Sequence, residues 1–119
     1  MVQFIHDGCI RLVISDVNEA TLKETTEIAI HLQEDAQIEA VVGDLSSEEF
    51  VEHLFSQTKS VFGRLDYAVN CAGVGGGAGP TAELTFADFK KAQAVNFEGL
   101  WLCERAELRM MLEQDIVDG

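Results

Sequence analysis

Apolar positions recur along this chain in two rhythms: short continuous runs, and longer stripes spaced three and four residues apart. Residues 10–15, IRLVIS, form a run that ends at Asp16. Asn18 then offers an N-cap with Glu19 in the first helical turn, where a side-chain acceptor and a negative charge both suit the free N–H groups. Leu22, Thr25, Ala29 and Leu32 carry a helical stripe to about Glu34. Residues 38–42, IEAVV, predict a second strand closed by Gly43 and Asp44. Ser46 and Glu49 have capping-box spacing before a stripe of Val51, Leu54, Phe55, Thr58 and Phe62, and Gly63 stops that helix. A third strand is expected over 65–72, LDYAVNCA. After a glycine-rich loop, Thr85 caps a long helix running to 114, with Phe89, Ala92, Asn96, Gly99, Cys103, Ala106 and Met110 on one face.

Strands that alternate with helices and are apolar on both faces predict an α/β fold with a parallel sheet covered on two sides. The N-terminal stretch MVQFIHDGC reads as a helix end running into a C-cap at Gly8. No repeat or linker interrupts the 119 residues, which suit one domain over 1–119.

Charge narrows the partners. Eight basic against 21 acidic residues give a formal net charge of −13, which repels phosphate backbones and anionic lipid and argues against nucleic acid or a membrane surface. The acids are spread along the chain, as on solvated helix faces. Cys9, Cys71 and Cys103 show no ligand spacing and read as reduced, buried thiols. His6, His31 and His53 are scattered, so no metal site is expected. No stretch is long enough to span a bilayer, and a cytoplasmic location is expected.

GVGGGA, residues 73–78, formally matches the dinucleotide fingerprint G-x-G-x-x-G/A. The match fails on context, because Gly79-Pro80 separates it from the helix cap at Thr85 and no strand-end acid follows at the required distance. Asp16 is the better clue. A carboxylate at the carboxyl end of an apolar strand can accept from both hydroxyls of an adenosine ribose and repel a 2′-phosphate; a plain turn aspartate is the competing reading. Asp44-Leu45 follows the second strand in the same way, either flanking adenine or serving the turn near Ser46. Asn70 ends the third strand and can tie neighbouring strand ends through its amide, while Ala72 and Gly73 leave backbone open to a ligand. Asn96 interrupts an apolar helical stripe, where an amide needs a partner or costs about 1–3 kcal/mol.

The succession VISDVNEATL, VVGDLSSEE, FGRLDYAVNCAG and AVNFEG resembles the short-chain dehydrogenase/reductase family across the whole chain. That resemblance implies a partial Rossmann-type, doubly wound parallel sheet without its first, central strand. It implies NAD as cofactor, with Asp16, Asp44, Leu45, Asn70, Ala72 and Gly73 at cofactor positions and Asn96 as the asparagine of the catalytic tetrad. Cys71 departs from the family's second asparagine. The family's glycine-rich Thr-Gly loop would precede Met1, and its catalytic Ser and Tyr-x-x-x-Lys would follow Gly119. Tyr67 is the single tyrosine, with Cys71 four residues on. The resemblance therefore implies hydride transfer between NAD and a small alcohol or carbonyl for the intact family. This chain is expected to be catalytically incompetent as it stands, and the long helix would pack on a second copy. The competing expectation is a truncated, non-catalytic chain that binds a nucleotide weakly or a partner subunit.

Overall fold

The computed structural model describes residues 1–116; positions 117–119 of the expected domain lie outside the described residues. Helix α1 (Val2–His6) turns at Gly8, whose φ of 90° is left-handed territory open to glycine. Strand β1 (Arg11–Asp16) follows, then α2 (Glu19–Leu32), strand β2 (Gln37–Val42) and α3 (Glu48–Phe62). Asn18 caps α2 as expected, its side chain accepting from the N–H groups of Ala20 and Thr21. Helix α3 is capped by Ser47, one residue beyond the expected Ser46. Ser46 instead donates its hydroxyl to Asp44, 2.7 Å away. Gly63 ends α3 with φ 74°.

β1 and β2 pair in parallel, from Arg11 opposite Gln37 to Asp16 opposite Val42. They are the two strands of the sheet among the described residues. α2 lies on both strands and meets α1, while α3 contacts β2 and packs along the last helix. Buried apolar side chains concentrate at these seams: Leu22 and Ala29 on α2, Val41 on β2, Val51 and Leu54 on α3, and Cys103 and Met110 opposite them. Burial, with Glu107 and Glu104 nearby, pushes the Cys103 thiol up to about 11, so it stays protonated and inert at neutral pH. The other two thiols depart from the expected burial: Cys9 is half-buried, and Cys71 is exposed because 65–72 forms no paired strand.

The expected third strand is not formed. Residues 65–72 run without a ladder partner, and Tyr67 and Val69, expected inside, are 78% and 64% exposed. The reason is pairing, not composition: a strand exists only where a neighbour takes its N–H and C=O groups. β1 is paired by β2 on one edge, and no strand among the described residues lies between its other edge and 65–72. Arg11, at the start of β1, still lies within electrostatic reach of Asp66. The Asp66 carboxyl is held below the usual range first by its hydrogen bond to Arg64, with Arg11 a minor contributor.

The long helix comes in three parts. After a 3-10 turn (Thr81–Glu83), α4 spans Phe86–Gln93, a π-turn Ala94–Gly99, and α5 Leu100–Glu113. Thr85 and Asp88 close a reciprocal capping box at its start. Of its expected inner face, Gly99, Cys103 and Met110 are buried, but Phe89 is 57% exposed and Asn96 also lies at the surface.

An open sheet edge and a thin core should weaken the molecule. The radius of gyration, 16.3 Å, exceeds the roughly 13.5 Å of a compact domain of this length. The chain is therefore expected to melt in a broad, low transition and to aggregate through the free edge of β1. Calorimetry checks this, and a sharp two-state transition at high temperature would contradict it.

Candidate functional site

The carboxyl ends of β1 and β2 lie side by side, because Asp16 pairs with Val42 and the Asp16 carbonyl accepts from the Gly43 N–H at 3.1 Å. Asp16 and the turn carrying Asp44 and Leu45 therefore share one sheet edge, where open α/β sheets bind ligands. Asp16 is exposed, and its Oδ1 accepts from the Asn18 N–H at 2.9 Å, which orients the carboxylate. Asp44 is built alike: Oδ1 accepts from the Ser46 N–H at 2.9 Å and from its hydroxyl. Those two bonds, the backbone one first, hold the Asp44 carboxyl below its usual range. Both acids thus do turn work with one oxygen. A structural role and a ligand role are compatible in each.

The turn after β2 docks on the π-turn of the long helix. A Cβ added at Gly99 would stand 2.9 Å from the Leu45 carbonyl oxygen and 3.2 Å from its carbon. Gly99 is thus the contact that brings Leu45 to the helix carrying Asn96, three residues earlier. Sequence reading placed Gly99 only on the apolar stripe. The available signal was a glycine in mid-helix, which costs about 0.5–1 kcal/mol against alanine and so points to a close approach.

Asn96 sits within the π-turn, a device common at functional sites. Its carboxamide is fully used: Oδ1 accepts from the Val74 N–H at 2.8 Å, and Nδ2 donates to the Val74 carbonyl at 2.9 Å. The amide expected to need a partner on an apolar face is therefore exposed and satisfied by the backbone of the loop after 65–72. This lock brings Gly73 beside Asn96, with Oδ1 3.5 Å from where a glycine Cβ would be. Ala72 and Gly73 are exposed, their backbone open.

Asn70 does not link strand ends. It is exposed and lies near Glu107 of α5, whose carboxyl is raised first by burial, with Asn70 lowering it and Glu104 raising it. A second backbone lock was missed in the sequence. Gln114, just past α5, accepts from the Leu65 N–H at 2.9 Å and donates to the Leu65 carbonyl at 2.7 Å. Nothing in local sequence marks a glutamine at a helix end for a partner 49 residues away.

Known proteins place this arrangement. A family profile described as enoyl-(acyl carrier protein) reductase matches residues 2–117. Levodione reductase of Leifsonia aquatica is 33% identical over 104 residues, 87% of this chain and 39% of that protein. A short-chain dehydrogenase of Neurospora crassa is 35% identical over 120 residues, covering 96% of this chain and 43% of its own. The crystal structure of levodione reductase superposes with a TM-score of 0.84, over 87% of this chain and 40% of that one. A metagenomic short-chain oxidoreductase in complex with NADP, 25% identical, superposes at 0.77, over 86% of this chain and 45% of that one. The chain thus spans about two fifths of the length of the curated relatives it matches. Two parallel strands within an α/β layer agree with a partial Rossmann-like fold, and with the profile covering nearly every residue, the chain belongs to the short-chain dehydrogenase/reductase family, oxidoreductases that use nicotinamide cofactors.

Proposed function

We propose that this chain is part of a single NAD-binding domain whose strand ends hold the cofactor for hydride exchange with a small alcohol or carbonyl. The observation that carries the reading is Asp16, an exposed, oriented carboxylate at the end of β1. One oxygen accepts from the Asn18 N–H, and the other would accept from ribose hydroxyls. The residues suit the cofactor elsewhere too. Asp44 stays ionised beside Leu45, which the Gly99 contact holds in place, and Ala72 and Gly73 offer backbone without bulk.

When bound, NAD supplies a hydride acceptor or donor at its nicotinamide ring. Asp16 would hold the ribose, Asp44 and Leu45 would flank the adenine, and Asn70, Ala72 and Gly73 would lie along the nicotinamide half. Asn96 moves no proton itself, since its amide is neither acid nor base. Its contribution is to lock Val74, and with it the strand end that faces the nicotinamide half.

General acid–base chemistry needs a group that gives and takes a proton near neutral pH. Tyr67 is the sole tyrosine, is 78% exposed, and has Cys71 where a pairing lysine would stand. The chain alone is therefore expected to bind NAD weakly and to turn nothing over. Ligand-observed NMR checks binding, and nicotinamide absorbance with a panel of alcohols and carbonyls checks turnover. Saturable turnover would overturn the second expectation; no detectable NAD binding would overturn the first.

Self-association belongs to the same reading. Phe97, Trp101, Leu108 and Leu112 are each more than half exposed along one side of the π-turn and α5, a stripe that favours a second copy of the helix. Trp101→Glu is expected to convert a dimer into monomer in sedimentation velocity. A parent that stays monomeric at every concentration would refute this. The three free thiols suit a reducing, cytoplasmic setting, and no helix among the described residues is long and apolar enough to cross a membrane.

A further inference from the structure

Residues 65–74 are gripped twice by the same long helix. Gln114 pairs with both backbone groups of Leu65, and Asn96 pairs with both backbone groups of Val74. Each carboxamide presents one donor and one acceptor to one residue's N–H and C=O, as a neighbouring strand would. The grips run in opposite directions, so the segment lies antiparallel to the helix.

Their spacing is the informative quantity. From Asn96 to Gln114 the helix advances eighteen residues, about 27 Å at roughly 1.5 Å each. From Leu65 to Val74 the chain has nine steps, about 30 Å at roughly 3.3 Å each. A largely extended segment spans the two posts, with a bend at Asp66 near its start. The helix therefore holds in an extended form a stretch that has no ladder of its own.

We propose that Gln114 is a positioning residue: with Asn96 it stretches residues 65–74 between two posts and sets the register in which Ala72 and Gly73 meet the sheet edge. The stretching stands on the four hydrogen bonds alone; its consequence for Ala72 and Gly73 rests on the cofactor reading above. A local tie would matter only at Leu65. A two-post clamp makes the far end respond as well, because a chain released at one end relaxes along its length.

The test is amide hydrogen exchange and two-dimensional NMR on the full chain with Gln114→Leu, Gln114→Glu and, as a control, Glu113→Gln, which breaks the exposed pair with Lys59. Gln114→Leu should raise exchange at Leu65 about tenfold. It should also shift the Val74 N–H and Asn96 carboxamide signals at the other post. Gln114→Glu keeps the acceptor for the Leu65 N–H and loses the donor, so it should show the same changes at smaller size, which keeps the test open if the leucine variant does not fold. The control should leave both posts unmoved. Changes confined to Leu65, or none, would overturn the clamp. No detectable NAD binding by the parent, with both posts responding, would instead remove the cofactor reading and leave the clamp standing.

Discussion

Gly99→Val is expected to destabilise the chain by about 3 kcal/mol, the upper range of overpacking effects. The new Cβ would stand 2.9 Å from the Leu45 carbonyl oxygen and 3.3 Å from that of Ala94. Both neighbours are backbone, so neither can swing aside as a side-chain end would. The extra methyls of valine add χ1 crowding against the preceding turn. Gly99→Ala meets the same first contact, but alanine recovers up to about 1 kcal/mol of helix preference, so a net loss near 1 kcal/mol is expected. Domains of this size have only about 5–15 kcal/mol in total, and this one has an open sheet edge, so the valine variant should be largely unfolded at 37 °C, below the roughly 45–65 °C at which mesophile domains melt. Urea midpoints by circular dichroism measure both changes. Equal midpoints for parent and valine variant would show that the Leu45 turn moves away from the helix without loss.

Asp16→Arg is expected to reverse dinucleotide preference. Two unit charges about 4 Å apart interact by roughly 1 kcal/mol in water and about 4 kcal/mol at a partly screened protein surface. Asp16 is exposed, which puts its effect nearer the lower figure, so the parent should favour NAD over NADP by about tenfold. Arginine replaces repulsion of the 2′-phosphate by a charge-assisted bond, and the full swing should approach about a hundredfold. Competition titrations of NAD against NADP, observed by ligand NMR, give the ratio directly. An unchanged ratio in the variant would make Asp16 a turn residue holding Asn18 and nothing more.

The elements themselves were legible in the sequence because their causes are local. Asn18 and Thr85 cap helices through bonds to residues two or three positions away, and Gly63 ends α3 by its own left-handed φ. β1 and β2 were found because each carries a short apolar stretch, Leu12–Ile14 and Ala40–Val42, and they pair in parallel as sequential neighbours. Even the shift of the α3 cap from Ser46 to Ser47 is a choice between adjacent hydroxyls, settled when Asp44 took the first.

What local pattern could not supply was partnership at a distance. Residues 65–72 have a strand's composition, yet strand formation depends on a neighbour's backbone, and here two carboxamides of a distant helix take that place at the ends only. Asn96 looked like a polar fault on an apolar face until Val74 was seen to satisfy it. The four family-like segments told by sequence alone which strand-end acids, glycines and asparagine to watch. Only the tertiary structure decided that Gly99 brings Leu45 to the π-turn, and that Gln114 holds the far end of 65–74. Those contacts join residues tens of positions apart, and composition or periodicity along the chain carries no record of where such residues meet.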